Sequence, residues 1–218
     1  MADSSSICSW KHAFALDNPI RKLIHNPIKI LGGLIERGQT VLDIGCGPGT
    51  FSIAMAKMVG ETGKVIAADV QEEMLQILRK KAAQEVLESR IVTYKSDSDR
   101  IGISEKVDFA MAFYMIHEVP NAEAFLREIV FLLKPKGKML IVEPKFHVSA
   151  SAFKKTLNAA QEAGLNPICE PRAEFRRPTL QAVRSPISFA SNFAVPILLG
   201  KLLKWNWEVL NSTDNHWL

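Results

Sequence analysis

Three glycines at alternate positions are the first feature of this chain whose type and spacing indicate chemistry. The stretch VLDIGCGPGT places Gly45, Gly47 and Gly49 directly after an apolar run that contains Asp43. Glycine costs backbone entropy and contributes no side chain, so such a run indicates main chain that adopts positive φ angles or lies very close to another group. In an open α/β sheet, ligands bind at the loop between a strand and the helix that follows it. We therefore predict a ligand-binding loop at residues 45–49.

The spacing of the glycines separates two classes of ligand. A dinucleotide-binding loop has the pattern GxGxxG, in which the third glycine lets the helix pack closely on the strand. Here Thr50 occupies that third position, and the pattern is GxGxG. Together with Asp43, the tighter turn favours a ligand that carries positive charge and no phosphate. Asp43 has an alternative role, because its carboxylate could simply accept hydrogen bonds from loop amides.

Alternating helical and strand patterns supply the elements that must position this loop. Such alternation predicts a doubly wound α/β fold, with a parallel sheet covered by helices on both faces. The predicted strands are residues 40–44, 64–68, 91–94, 107–113 and 138–142, with less regular edge strands at 167–169 and 179–183. The predicted helices are residues 27–38, 51–59, 71–87, 121–133 and 149–163.

Composition narrows the remaining possibilities. The chain has 218 residues, 47% of them hydrophobic and 23% charged, which fits one globular domain. Its three cysteines have no CxxC spacing, so we expect neither a disulfide framework nor a metal site. The polar start of the chain shows no signal peptide, and a cytoplasmic location is expected. The net charge of +4 comes from Lys and Arg scattered among 23 acids, which gives no clear nucleic-acid signal.

Several stretches together carry a resemblance to a known family. VLDIGCGPGTFSIAMA resembles the first motif of class I S-adenosylmethionine-dependent methyltransferases, and the likeness continues in register to about residue 165. DFAMAFYMIHEVP and LREIVFLLKPKGKMLIVEP are similar to the small-molecule branch of that family, the type 11 or quinone-biosynthesis-like enzymes. The resemblance implies a Rossmann-like, mostly parallel seven-stranded sheet and S-adenosyl-L-methionine as the cofactor.

The resemblance also implies roles for residues at the strand ends. Asp69, at the end of the second strand, is expected to accept the ribose hydroxyls, since an ionised carboxylate has two acceptor oxygens. Alternatively, Asp69 caps the helix predicted to begin near Gln71. Val70 is expected to pack on the adenine, and Asp97, or less plausibly Asp99, to meet its amino group. The implied cofactor-binding residues are Asp43, Gly45, Cys46, Gly47, Gly49, Asp69, Val70, Asp97 and Phe113. Cys46 is interpreted as a small filler and not as a nucleophile.

Residues after the fourth and fifth strands are expected to face the methyl acceptor. They are Tyr114, Met115, His117 and Glu118 after strand four, with Glu143 and His147 after strand five. His117 is the candidate general base because its ordinary pKa is near neutrality, and Tyr114 is a second catalytic candidate. The alternative is that His117 and Glu118 only brace the turn before Pro120.

The ends of the chain are assigned separately from the central domain. Residues 1–39 are predicted to form a helical cap or lid that includes Phe14, or alternatively a packing helix without ligand contact. Residues 40–185 are predicted to form the S-adenosylmethionine-binding domain. The tail, residues 186–218, matches no part of the fold and contains three tryptophans: Trp205, Trp207 and Trp217. It could serve as a docking surface for a partner or a second subunit, form an extra helix that covers the sheet edge, or be a stretch that is not native-like. Because Pro196, Gly200 and Lys201 interrupt its apolar part, no membrane span is predicted.

These observations predict an S-adenosylmethionine-dependent methyltransferase that transfers a methyl group to a small-molecule acceptor by in-line displacement. Positioning alone can supply much of the barrier reduction for such a step, so a base is optional. The first alternative is a cofactor-binding module without catalysis that acts through protein interactions. A remote alternative is an NAD-dependent oxidoreductase, which depends only on the strand-loop-helix pattern.

Overall fold

The structure, a computed structural model, describes residues 26–144, 147–168 and 179–182. The part of the predicted lid before residue 26, including Phe14, and the whole tail at 186–218 lie outside these ranges.

Helices and strands alternate along the described chain. The helices are α1 (Pro27–Leu31), α2 (Thr50–Val59), α3 (Glu72–Gln84), α4 (Ala122–Leu132) and α5 (Ala150–Glu162). The strands are β1 (Thr40–Ile44), β2 (Lys64–Asp69), β3 (Ile91–Lys95), β4 (Val107–Phe113), β5 (Leu133–Val142), β6 (Leu165–Ile168) and β7 (Thr179–Ala182). Among helices in the described ranges, none has the length and apolar character that crossing a bilayer requires.

The sheet has the strand order β3-β2-β1-β4-β5-β7-β6. Strands β1 to β5 are parallel to one another, whereas β7 pairs antiparallel with both β5 and β6. The chain runs outward from β1 to β3 on one side of the sheet and then continues with β4 on the other side of β1. The strand order therefore reverses between β1 and β4. Ligands bind at such a switch point, beside the carboxyl ends of the strands. The Rossmann-like α/β class predicted from the sequence is confirmed.

Each face of the sheet carries its own apolar core. Leu42 packs on the face covered by α4, in one cluster with Leu126 and Ile129. Its neighbour Val41 packs on the other face, in a cluster with residues of α2 and α3 such as Met55. Because successive side chains of a strand point to opposite faces, a strand that is apolar throughout must be covered on both sides. This burial explains the continuous apolar runs of β1 and β2.

Helix α1 is shorter than predicted. The apolar spacing predicted a helix over residues 27–38, but α1 ends at Leu31. Gly32 follows with extended backbone angles, and Gly33 has a φ of +81°. Two adjacent glycines lower the helix propensity enough for the chain to turn towards β1.

Val86, just after α3, has a backbone conformation that valine rarely adopts. Its φ angle is +57°. The amide of Leu87 donates to the carbonyl of Ala82 at 2.9 Å, and the amide of Val86 donates to that of Ala83 at 3.2 Å. These two bonds form a Schellman cap, whose left-handed position is usually glycine. A β-branched residue at this position is strained. Its side chain is 80% exposed and so contributes little packing.

We expect Val86→Gly to raise the free energy of unfolding by about 1 kcal/mol, since the relieved left-handed penalty exceeds the entropy that glycine adds to the unfolded chain. Chemical denaturation measures this change. Val92→Gly, at an exposed valine within β3, is the matched control and should lower the free energy of unfolding. A Val86→Gly variant no more stable than the wild type would contradict the assignment of strain.

Candidate active site

A cavity of about 180 Å³ lies at the carboxyl ends of β1, β2, β3 and β4. Its wall includes eleven residues that the sequence predicted for the site: Asp43, Gly45, Cys46, Gly47, Asp69, Val70, Asp97, Phe113, Tyr114, Met115 and Glu118. Four other predicted residues do not line it: Gly49, His117, Glu143 and His147. The fold therefore brings together residues from four strand ends and from the glycine loop.

The three loop glycines all have positive φ angles, but they differ in the space around a Cβ atom placed on each of them. A Cβ atom on Gly45 would lie 3.1 Å from side-chain atoms of Met115, and one on Gly49 would lie 2.2 Å from Cδ1 of Leu78. At Gly47 a Cβ atom would meet no atom within 4 Å, although its φ is +52°. Gly45 and Gly49 thus allow close packing, whereas Gly47 leaves open space for a ligand.

Asp69 connects the end of β2 to the glycine loop. Its Oδ2 accepts the backbone N–H of Gly47 at 2.8 Å, and its Oδ1 accepts that of Gln71 at 2.9 Å. The side chain is buried, and burial raises the pKa of Asp69 above its ordinary value, against the lowering effect of these backbone hydrogen bonds. The structural alternative therefore holds in part, since Asp69 does bind the amide at the start of α3. A carboxylate has about four lone-pair sites, so Asp69 can accept a ligand hydroxyl in addition to its backbone contacts with Gly47, Gln71 and Val70.

Asp43 is buried beneath the glycine loop. Its Oδ2 accepts the hydroxyl of Ser52, in α2, at 2.5 Å. The pKa of Asp43 is raised to about 7. Burial is the main cause, repulsion from Asp69 adds to the rise, and the hydrogen bonds from Ser52 act in the opposite direction. The carboxylate also accepts the backbone N–H of Ser52, so both the hydroxyl and the amide of one α2 residue bind Asp43. A carboxylate so placed ionises more readily when a positive charge enters the cavity.

Cys46 occupies a tight position between two of the glycines. Its backbone N–H donates to the carbonyl of Ala68 at 3.0 Å, which joins the loop to β2. The side chain is buried, and burial raises the pKa of the Cys46 thiol well above its ordinary value. A thiol with a raised pKa is a poor nucleophile at neutral pH, which agrees with its interpretation as a small filler.

The residues predicted to contact an adenine lie along one side of the cavity. Val70 is half-buried after the end of β2, and Asp97 follows β3. The Asp97 side chain is 69% exposed and forms a surface ion pair with Arg100 at 3.3 Å. Asp99 is exposed and does not line the cavity, so the geometry favours Asp97 over its predicted substitute.

Three aromatic rings form a continuous row in the cavity wall. The Phe113 ring lies 4.5 Å from that of Phe51 and 4.3 Å from that of Tyr114, measured between centroids. Tyr114 has a φ of +60°, and its backbone N–H donates to the carbonyl of Val142 at 2.7 Å. A non-glycine residue held in this conformation stores strain, and such residues cluster at functional sites. The row offers flat apolar surface to a ligand.

His117 is bound to a carboxylate from the neighbouring strand. It lies in a short 3-10 helix, Ile116–Glu118, after β4, and its Nδ1 is 2.6 Å from Oε2 of Glu143, after β5. The hydrogen bond to Glu143 raises the pKa of His117, while partial burial lowers it. Within the described ranges, including this pair, no group of three or more His, Cys, Asp or Glu side chains is placed to hold a metal ion.

Some site residues were missed by the sequence reasoning. Ser52 could have been noticed, because it is a polar residue on a helix face that otherwise carries the buried apolar residues Met55, Ala56 and Val59. Lys81 gave no such indication. Its Nζ donates to the carbonyl of Pro48 at 2.8 Å, and so α3 holds the glycine loop from outside the cavity.

Sequence comparison assigns the chain to a family. The family described as "Methyltransferase domain" matches residues 35–179, which include the whole of this cavity. The chain therefore belongs to the methyltransferase domain family. The resemblance to class I S-adenosylmethionine-dependent methyltransferases that the sequence motifs carried is confirmed.

Individual relatives agree with this family. The chain is 34% identical over 110 residues to a demethylmenaquinone methyltransferase of Lactobacillus johnsonii, covering 50% of this chain and 45% of that protein. It is 32% identical over 110 residues to a ubiquinone/menaquinone biosynthesis C-methyltransferase of Escherichia fergusonii, covering 50% and 44% of the two chains. The chain thus spans less than half the length of these relatives.

Solved structures show the same fold. A SAM-dependent methyltransferase from Aquifex aeolicus superimposes with a TM-score of 0.70 at 28% identity, covering 81% of this chain and 100% of that one. A protein from Methanococcus maripaludis gives a TM-score of 0.67 at 21% identity, covering 87% and 100%, and shows the fold alone.

Proposed function

We propose that this protein is an S-adenosylmethionine-dependent methyltransferase that transfers a methyl group to a small-molecule acceptor by in-line displacement. The observation that carries the proposal is the hydrogen bond from the backbone N–H of Gly47 to the carboxylate of Asp69. A buried carboxylate holds the amide of a glycine whose missing side chain leaves the cavity open. Family membership and the likeness to the Aquifex aeolicus enzyme support this assignment.

The residues around the cavity fit the chemistry of S-adenosylmethionine. The ligand supplies a methyl group on a positively charged sulfur, and it carries a ribose and an adenine. Asp69 offers acceptor oxygens to the ribose hydroxyls, and Val70 offers apolar surface to the adenine. Asp43 complements positive charge, while Gly45 and Gly47 let the main chain approach. S-adenosylmethionine has no phosphate, so its binding loop does not need the third glycine of the dinucleotide pattern GxGxxG. Thr50 occupies that position in this chain.

The acceptor is proposed to enter beyond the ends of β4 and β5, beside Tyr114 and His117. These two residues are the proposed catalytic candidates. The relatives named for demethylmenaquinone and ubiquinone/menaquinone biosynthesis support a small organic acceptor of modest size. The aromatic row of Phe51, Phe113 and Tyr114 supports an acceptor with a flat apolar part.

Calorimetric titration of the full chain tests the proposal. We expect micromolar binding of S-adenosylmethionine and S-adenosylhomocysteine and no binding of NAD. Tight binding of NAD with indifference to S-adenosylhomocysteine would instead support the oxidoreductase alternative. The non-catalytic module predicts the same binding as the methyltransferase, and detectable methyl transfer to any small-molecule acceptor would exclude it.

The raised pKa of Asp43 predicts that ligand binding depends on pH. Asp43 has a pKa of about 7 in the folded protein and an ordinary value of 3.8. At pH 6 its carboxyl group is therefore mostly protonated in the folded protein and ionised in the unfolded chain. This contribution to folding stability is present below pH 3.8 and is lost as the pH rises through 7. A cationic ligand prefers the ionised form. We therefore expect the affinity for S-adenosylmethionine to be about tenfold lower at pH 6 than at pH 8.

Calorimetry in buffers of different ionisation enthalpy measures the linked proton. At pH 6, binding should release a proton from Asp43 to the buffer. Asp43→Asn is the matched control, because it removes this group and leaves the titration of the ligand and of His117 in place. The prediction fails if the wild type and Asp43→Asn show the same pH dependence.

Three finer assignments remain proposals. We propose that β7 and β6 correspond to the last two strands of the seven-stranded sheet that the resemblance implies, which the register of β7 against β5 supports. We also propose that the tail, residues 186–218, contacts a partner or a second subunit through its tryptophans. The cytoplasmic location inferred from cysteine usage is kept as a prediction.

A further inference from the structure

A nearly buried carboxylate holds His117 at the carboxyl edge of the sheet. The side chain of Glu143 is 3% exposed and that of His117 is 19% exposed. Oε2 of Glu143 lies 2.6 Å from Nδ1 of His117, and Oε1 accepts the backbone N–H of His117 at 3.1 Å. Because one carboxylate binds both the ring and the main chain of the same residue, the orientation of the ring is fixed.

This contact determines which nitrogen of His117 can accept a proton. An ionised carboxylate only accepts hydrogen bonds, so a neutral His117 must carry its hydrogen on Nδ1 and leave Nε2 as the acceptor. An imidazolium would keep the Nδ1 hydrogen bond and gain an ion pair with Glu143. The same carboxylate therefore orients the ring and stabilises its protonated form, as the buried acid does in other acid-histidine pairs.

Other ionisable groups face His117 from neighbouring segments. The ring of His147 lies edge-on at 4.9 Å between centroids, and Glu118 adds negative charge from the same 3-10 helix. The pKa of His117 is raised mainly by its hydrogen bond to Glu143. Burial lowers it, and the charges of Glu143 and Glu118 raise it further. A proton received by His117 is thus stabilised by the hydrogen bond to Glu143 and, to a smaller extent, by the negative charge of Glu118.

His117 lies beside the cavity that the cofactor site shares with the proposed acceptor space. Its sequence neighbours Met115 and Glu118 line the cavity, and the 3-10 helix follows β4 directly. The pair is thus adjacent to the site of methyl transfer, on the β4 and β5 side. The other buried carboxylates of the cavity, Asp43 and Asp69, belong to the β1 and β2 side.

We propose that Glu143 is a positioning residue that presents Nε2 of His117 as the proton acceptor, and that the methyl acceptor is a molecule whose nucleophilic atom carries a proton, such as an aromatic hydroxyl. This inference rests on the proposed function. The acceptor oxygen forms the bond to the methyl carbon, the carbon–sulfur bond breaks with its electron pair remaining on sulfur, and the hydroxyl proton passes to Nε2. A tertiary amine has no proton to release and would not use the pair.

Nuclear magnetic resonance of the full chain tests the positioning role without any acceptor. We expect the neutral His117 ring to carry its proton on Nδ1 in nitrogen-15 spectra, and its titration to move to lower pH in Glu143→Gln. Glutamine has the same shape and its Oε1 can still accept the Nδ1 hydrogen, but it lacks the charge and its amide nitrogen replaces the oxygen that accepts the backbone N–H of His117. A proton on Nε2, or an unchanged titration in Glu143→Gln, would overturn the inference.

A binding control separates this inference from the proposed function. S-adenosylhomocysteine binding is measured by calorimetry on the same samples, and thermal unfolding shows that Glu143→Gln is folded. If S-adenosylhomocysteine binds but the His117 titration is unchanged in Glu143→Gln, the inference alone fails. If His117 behaves as expected but no S-adenosylhomocysteine binds, the proposed function fails and the assignment of the acceptor fails with it.

Two acceptors with the same ring system test the proton-bearing class. With S-adenosylmethionine and excess enzyme, we expect methylation of 2-naphthol that falls about 100-fold in His117→Gln, within the usual range for loss of a general base. Any methylation of N,N-dimethyl-2-naphthylamine should be unchanged in His117→Gln, because this acceptor has no proton to release. Methylation of 2-naphthol that is undiminished in His117→Gln, or an equal loss for both acceptors, would overturn the assignment. The pH profile adds a readout that a purely structural role would not change, since its rising limb should follow the titration of His117 in the wild type and in Glu143→Gln.

Discussion

Replacing Gly49 with alanine is expected to lower the free energy of unfolding by about 3 kcal/mol, the sum of a left-handed backbone penalty and an overpacked contact. Gly49 has a φ of +85°, and an added Cβ atom would lie 2.2 Å from Cδ1 of Leu78. Leu78 is fully buried in α3, so it cannot move aside without displacing its own neighbours. Chemical denaturation of the ligand-free protein measures the loss.

Gly47→Ala is the matched control for this prediction. Gly47 also has a positive φ, but an added Cβ atom there would meet no atom within 4 Å. It should therefore show the backbone penalty without the steric one, and lose only about 1 kcal/mol. In a double-mutant cycle, the loss of unfolding free energy in the Gly49→Ala, Leu78→Ala double variant should be smaller than the sum of the two single losses by roughly 1–3 kcal/mol. Equal losses for Gly47→Ala and Gly49→Ala would show that the Leu78 contact is unimportant.

Asp69→Asn should have the largest effect on ligand binding. We expect the affinity for S-adenosylhomocysteine to fall about 100-fold, which corresponds to ~3 kcal/mol and to the loss of charge-assisted hydrogen bonds. Asparagine replaces one carboxylate oxygen with an amide nitrogen. That nitrogen would face either the N–H of Gly47 or the N–H of Gln71, and a donor cannot bind a donor. Calorimetric titration measures the affinity.

The controls for Asp69→Asn use the two aspartates after β3. Asp99→Asn removes an exposed carboxylate that does not line the cavity, and should bind like the wild type. Asp97→Asn should lose only a few-fold in affinity, because its side chain is 69% exposed and water competes for it. Thermal unfolding of each variant without ligand separates a binding defect from a folding defect. Affinity of Asp69→Asn within about threefold of the wild type would remove Asp69 from the site.

The class of fold and the place of the site could be predicted from the sequence because both depend on local patterns. Apolar runs of strand length, alternating with helical spacing, are readable over a few residues, and parallel strands place their carboxyl ends at one edge. Asp43 and Asp69 lie at or near such ends, and the glycines between them follow the first strand. The early end of α1 was missed because adjacent glycines outweighed an apolar spacing that continued past them.

The sequence by itself determined that a glycine loop and several acids meet at the carboxyl edge of an α/β sheet in a methyltransferase family. Only the tertiary structure decided what each glycine meets, that Ser52 binds Asp43, and that Glu143 binds His117. The physical reason is that these contacts join segments far apart along the chain. Strand register and helix packing bring them together, and neither the propensity nor the periodicity of any single segment specifies those distances.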